Sequence, residues 1–209
     1  MFAYCENNPT NCSDPAGYTC IFENDRRYYG NGLVEYTDSG TGSYSIPEDG
    51  NYIADQENFS ASSWPLGAST VGESGCGIVA AYNILISRGV DVSFSNVYFA
   101  AYSHGALVNG GRDGTDVAKM IEVIIDLDPS ISISDEGEPI ESAFIVYGYY
   151  DGSDRIGGHA GAAIHYSNQL YIIYNGLGVS ADSAYDLNEY LYKIDKYDGI
   201  CVEGIIPFH

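Results

Sequence analysis

Basic residues are scarce in this chain. Its 209 residues hold 8 Lys and Arg against 29 Asp and Glu, a formal net charge of −21. Such a composition cannot build a phosphate-neutralising face, and its field repels polyanions, so a nucleic-acid partner of the usual kind is excluded. The acids are spread along the chain, so the charge belongs to the body of the protein and implies solubility and a basic partner. Long apolar runs are missing as well. None reaches the roughly 18 residues of a spanning helix, and no membrane span is expected. The opening MFAYCENNPTNCSDPAG has no basic region followed by an apolar stretch, so no signal peptide is expected. The five cysteines, Cys5, Cys12, Cys20, Cys76 and Cys201, are odd in number and irregular in spacing, a poor disulfide framework. No CxxC pair exists, and Asp126, Asp128 and Asp135 lack calcium-loop spacing, so neither metal nor cofactor is expected.

Hydrophobic residues make up 45% and charged residues 18%, enough to bury a real core in one domain with a short appendage. Composition shifts near residue 50. Residues 1–17 are rich in Asn, Pro, Asp and Cys. Residues 28–52 read as loops, with a turn at Tyr29–Gly32 and a short strand at Leu33–Tyr36. A regular pattern starts near Ser69.

Residues 74–88 are expected to form a helix, because Ile78, Val79, Tyr82, Leu85 and Ile86 recur at helical spacing as one apolar stripe. Ser74 is the expected N-cap and Gly89 the stop. A second helix is expected over Phe94–Ser103. A third runs over 116–127, with Thr115 or Asp116 as cap and Val117, Met120, Ile121, Ile124 and Ile125 as its stripe. Strands follow at Ser130–Ser134, Ala143–Tyr149, Ala160–Tyr166, Leu170–Tyr174, Tyr190–Ile194 and Ile200–Ile206. Helices first and antiparallel strands afterwards give an α+β class.

The chemistry centres on Cys76. It falls at the second or third position of the first helix, where unpaired N–H groups and a partial positive charge favour the nucleophilic thiolate. Gly75 and Gly77 beside it would let a substrate backbone approach. A small buried thiol at a helix start is the structural alternative. His159 opens the strand Ala160–Tyr166, and Asn175 closes the strand after it. Pairing about Ser167 or Asn168 makes these two opposed or diagonal neighbours. The Asn175 amide oxygen would then accept the ring N–H and leave the other nitrogen for the thiol, a Cys–His–Asn arrangement. His165 is the alternative base. His104 reads as a helix-terminal residue, His209 as a frayed end and Cys201 as a core thiol.

Two resemblances join these observations. FAYCENNPTNCSDPAG, through Tyr4, Asn7, Asn8, Pro9, Asp14, Pro15 and Gly17, resembles the segment that ends the core of RHS-repeat proteins. It implies a boundary after residue 17, with a polymorphic-toxin effector beyond it, acting in a target-cell cytoplasm and paired with an immunity protein. The GCG helix start, GRDGTDVAKMIEVI and the His159–Asn175 hairpin resemble papain-like cysteine peptidases of the bacteriocin-processing type. That implies a papain-like fold over 69–209, a linker over 18–68, and Cys76, His159 and Asn175 as catalytic residues on a protein or peptide substrate. In that family a Gln stands about six residues before the Cys. Here Thr70 holds the position, after Ser69, so one of these hydroxyls is the implied oxyanion donor. The departure leaves open a deamidase, an acyltransferase or a non-catalytic binding module. Glu73 and the net charge oppose the thiolate, so its pKa is expected below that of free cysteine, though less so than in a neutral enzyme.

Overall fold

The computed structural model describes residues 52–134, 139–167, 170–179, 181 and 183–209. The RHS-like segment, the 29–32 turn, the 33–36 strand and the first three cysteines lie outside them.

A hairpin of β1 (Pro65–Leu66) and β2 (Ser69–Thr70) leads into a one-turn helix, α1 (Val71–Ser74). Then come α2 (Cys76–Ser87), α3 (Phe94–Ser103), a 3₁₀ turn at Val108–Gly111 and α4 (Val117–Leu127). The second half holds β3 (Ser142–Asp151), β4 (Asp154–Ser167), β5 (Leu170–Tyr174), β6 (Ala184–Asp186), α5 (Leu187–Ile194) and β7 (Ile200–Phe208). The last five strands form one antiparallel sheet in the order β6-β5-β4-β3-β7. The class is α+β.

Period-2 alternation divides the sheet between two cores. Phe144 and Val146 of β3, with Ala160, Ala162 and Ile164 of β4, face the layer of α2, α3 and α4. Ala143, Ile145 and Tyr147 face α5, through Leu187, Tyr190 and Ile194. Helix α2 lies at the centre of the larger core. Every residue from Cys76 to Leu85 is buried, so the helix is covered all round rather than along one stripe. Residues 53–68, expected as linker, bring Ile53, Ala61, Trp64 and Leu66 into that core.

Helix α3 has the expected bounds, closed at its start by a reciprocal Ser93–Asn96 cap and at its end by His104. Helix α4 starts at the Asp116 cap, whose carboxylate accepts from Lys119 N at 3.0 Å. Ile125 lies on its exposed side, and Val123 takes a buried place instead.

Three expectations are corrected. Tyr190–Ile194 is helix, not strand. Leu187, Tyr190 and Ile194 are buried at helical spacing, and Asp186 caps the turn by accepting from Glu189 N at 2.9 Å. Ser130–Ser134 forms no named strand, although Ile133 bridges Phe208 at the β7 edge. His209 is held rather than frayed: its ring nitrogens lie 3.0 Å and 3.1 Å from the hydroxyls of Ser132 and Ser134.

Candidate active site

Cys76 is the first residue of α2 and is fully buried. The N-cap is Gly75, not Ser74. Ser74 instead sends its hydroxyl to Gly111 O at 2.7 Å, tying the turn before Cys76 to the loop before α4. The glycines flanking Cys76 serve internal packing. A Cβ on Gly77 would stand 2.2 Å from Thr115 Oγ1, and one on Gly75 would stand 2.6 Å from Val71 O.

His159 sits on β4 opposite Tyr147 of β3. Its ring, half-buried, stacks on the Tyr147 ring with centroids 5.8 Å apart. Tyr147 is held in turn through its hydroxyl, 2.7 Å from that of Tyr190, which donates to Leu177 O at 3.2 Å. Burial first, and the neighbouring Tyr190 second, push the Tyr147 phenol well above its ordinary value, so the platform stays neutral.

The β4–β5 register pairs Ala162 with Tyr174, which makes His159 and Asn175 diagonal neighbours, one of the two expected relations. The contact between them differs from the expected one. Asn175 turns the chain with a φ of 52° and aims its backbone carbonyl at the ring, 2.6 Å from His159 Nε2. Asparagine tolerates this left-handed conformation better than most residues. Gly161 leaves room for the carbonyl, since a Cβ there would lie 3.0 Å from it.

The Asn175 amide is wholly committed elsewhere. Nδ2 donates to Ala160 O at 3.0 Å and to Gln56 Oε1 at 3.1 Å, and Oδ1 accepts from Gln56 N at 3.0 Å. None of these partners is the imidazole, so the side chain fixes the turn while the backbone carbonyl holds the ring.

The backbone contact settles the tautomer. A carbonyl can only accept, so Nε2 carries hydrogen, and in the neutral ring Nδ1 is the basic nitrogen. The Cys76 side chain hydrogen-bonds the imidazole. Burial pulls the imidazolium down. Cys76, the Asn175 carbonyl and the Asp55 carboxylate together outweigh it, and the His159 pKa stands above its ordinary value. A sulfur paired this way with a basic nitrogen can pass its proton to the ring.

Ser69 and Thr70, the implied oxyanion donors, have a local task. Thr70 Oγ1 accepts from Glu73 N at 3.3 Å, while the Glu73 carboxylate accepts from Thr70 N at 3.1 Å and from Ser69 Oγ at 2.9 Å. This is the capping box of α1, and it engages the carboxylate expected to oppose the thiolate. His165 is exposed at the other end of the hairpin. Cys201 is half-buried on β7 rather than a core thiol, and burial raises its pKa.

Sequence reasoning missed three contributors. Asn83, fully buried on α2, binds both backbone groups of Ile53, accepting from its N–H at 2.8 Å and donating to its carbonyl at 2.9 Å. Its signal was present: it is the lone amide in an otherwise apolar stretch of helix. Gln56 and Asp55 lie in an irregular segment without period or motif. Asn175 N donates to Ala54 O at 2.9 Å, so residues 54 and 56 both bond Asn175 and bracket Asp55. The Asp55 carboxylate accepts from Glu57 N at 2.8 Å and Asn58 Nδ2 at 2.6 Å.

Among the described residues no cluster of His, Cys, Asp and Glu could hold a metal ion, and no helix is long and apolar enough to cross a membrane. In comparisons with known proteins, the chain matches no family model, no curated protein and no solved structure.

Proposed function

We propose that this chain is a cysteine-dependent hydrolase of papain-like type that cleaves amide bonds in proteins or peptides, and that it acts as the effector domain of a polymorphic toxin. The observation carrying the hydrolase reading is the Cys76–His159 pair, with His159 Nε2 held 2.6 Å from the Asn175 carbonyl.

The chemistry follows from that pair. His159 Nδ1 takes the Cys76 proton, and the thiolate attacks the substrate carbonyl carbon. The helix start offers backbone N–H groups to the developing oxyanion, with the Cys76 N–H as first candidate. Collapse of the tetrahedral intermediate breaks the C–N bond, and the imidazolium gives its proton to the leaving amine. Water then attacks the thioester while Nδ1 takes its proton. The C–S bond breaks, the acid departs and the thiol is restored. His159 serves as base and acid in turn, and the Asn175 carbonyl keeps its ring in place throughout.

The toxin reading rests on the RHS-like segment at residues 1–17. An immunity protein with a basic face would complement the net charge of −21, and salt would weaken that complex.

Expression of the whole chain in a bacterial cytoplasm tests both parts. Growth arrest that disappears with Cys76→Ala supports the proposal, and mass spectrometry of the arrested cells should find cleaved targets. Targets gaining about one mass unit without cleavage would replace hydrolysis of chains by deamidation. Equal growth of cells carrying native and Cys76→Ala chains would refute the toxin reading.

A further inference from the structure

We propose that Gln56 is a positioning residue that couples the two halves of the active site. The inference rests on the Cys76–His159 reading above. Gln56 is buried, and one amide side chain reaches both parts. Its Oε1 accepts from Asn175 Nδ2 at 3.1 Å, and its Nε2 donates to Gly72 O at 2.9 Å. Its backbone N–H completes a reciprocal pair with Asn175 Oδ1 at 3.0 Å.

Each end of this bridge leads to a reacting group. Asn175 carries the carbonyl that holds His159 Nε2. Gly72 belongs to α1, the single turn that runs through Gly75 into Cys76. Gly72 is fixed from its other side as well, its N–H donating to Ser62 O at 2.7 Å. Gln56 therefore sets the distance between the turn that aims the imidazole and the turn that aims the sulfur. The segment carrying it is anchored two ways, by Asn83 on α2 through Ile53 and by Asn175 through Ala54. A buried amide satisfied at both ends is an economical spacer, because slipping either end leaves a buried polar group unpaired. The expected consequence is chemical. Lengthening the Cys76–His159 contact weakens thiolate–imidazolium pairing, and the thiol then titrates closer to free cysteine.

Gln56→Met tests this with volume kept and no charge added. The readout is the pH midpoint of Cys76 alkylation by iodoacetamide in the full chain, followed by peptide mass spectrometry, with thermal unfolding measured in parallel. Ile194→Ala, a core truncation on α5, serves as a destabilised control. We expect Gln56→Met to raise the midpoint by about one pH unit, a tenfold loss of thiolate at fixed acidic pH, while Ile194→Ala lowers the unfolding temperature and leaves the midpoint alone. If the thioether does not fold, Gln56→Asn, one methylene shorter, should show the same upward shift. A Gln56 variant that unfolds earlier but keeps the native midpoint would overturn the proposal and leave Gln56 a purely structural amide. A native chain whose Cys76 already titrates like a free thiol would instead overturn the hydrolase reading itself.

Discussion

Replacing Asn175 by Asp separates two roles for this residue. If the side-chain oxygen oriented the imidazole, a carboxylate would serve as well as an amide. The structure argues otherwise. Nδ2 donates to Ala160 O at 3.0 Å and to Gln56 Oε1 at 3.1 Å, inside a site where Asn175 is only 5% exposed. In Asn175→Asp one carboxylate oxygen can still accept from Gln56 N, but the other confronts two acceptors. Each buried group left unpaired costs about 1–3 kcal/mol, so the loss should be about 2–6 kcal/mol, a large share of the roughly 5–15 kcal/mol of a typical domain. Protonation offers partial relief, because a carboxylic acid can donate to one of the two acceptors. The folded pKa of the introduced Asp therefore lies above its unfolded value of about 3.9. A group raised in this way keeps its stability below the unfolded pKa and loses it as pH climbs through the folded pKa. Urea unfolding of both chains should show a deficit for Asn175→Asp that is larger at pH 8 than at pH 5. Equal stability at both pH values, with Cys76 alkylation unchanged, would refute the reasoning and return the orienting role to the side chain.

Two further outcomes follow from the packing and the electrostatics. Gly77→Ala should destabilise the chain by about 1–3 kcal/mol through overpacking against Thr115, despite the better helix propensity of Ala; adding Thr115→Ala should recover much of the loss, and additive effects in a double-mutant unfolding cycle would count against the contact. The His159 ring should titrate above about 6.5 in the native chain and lower in Cys76→Ala, because burial remains and the largest of the groups opposing it is gone; NMR of the ring protons reads both, and an unchanged value would mean that the sulfur is not its partner.

Local rules made part of this protein legible. Helices α3 and α4 carry side-chain caps at their starts and apolar residues at helical spacing, and both formed close to where the pattern put them. Strands β4 and β5 pair antiparallel, so the closeness of His159 and Asn175 could be read from the sequence down to two registers. Tertiary choices could not. Ser74 looks like an N-cap, but its hydroxyl goes to Gly111 O, and a one-turn helix ahead of Gly75 shifts the start of α2 to Cys76. The aromatic character of Tyr190–Ile194 suggested a strand, although the spacing of Leu187, Tyr190 and Ile194 is helical once Asp186 is taken as cap. The Asn175 side chain chose Gln56, 119 residues earlier in the chain, over the imidazole beside it. No local pattern encodes a pairing of that range. A backbone carbonyl standing in for a side-chain acceptor leaves no trace in residue identity either.

The proposed hydrolase depends on a proton shared between Cys76 and His159. The most direct test is the rate of iodoacetamide alkylation at Cys76 against pH, in the native chain and in His159→Ala. The midpoint is the readout, because a buried sulfur reacts slowly at every pH. Such sharing predicts a native midpoint well below the roughly 8.5 of a free thiol, rising to or above that value in His159→Ala. A native midpoint at or above the free-thiol value, unmoved by the substitution, would contradict it.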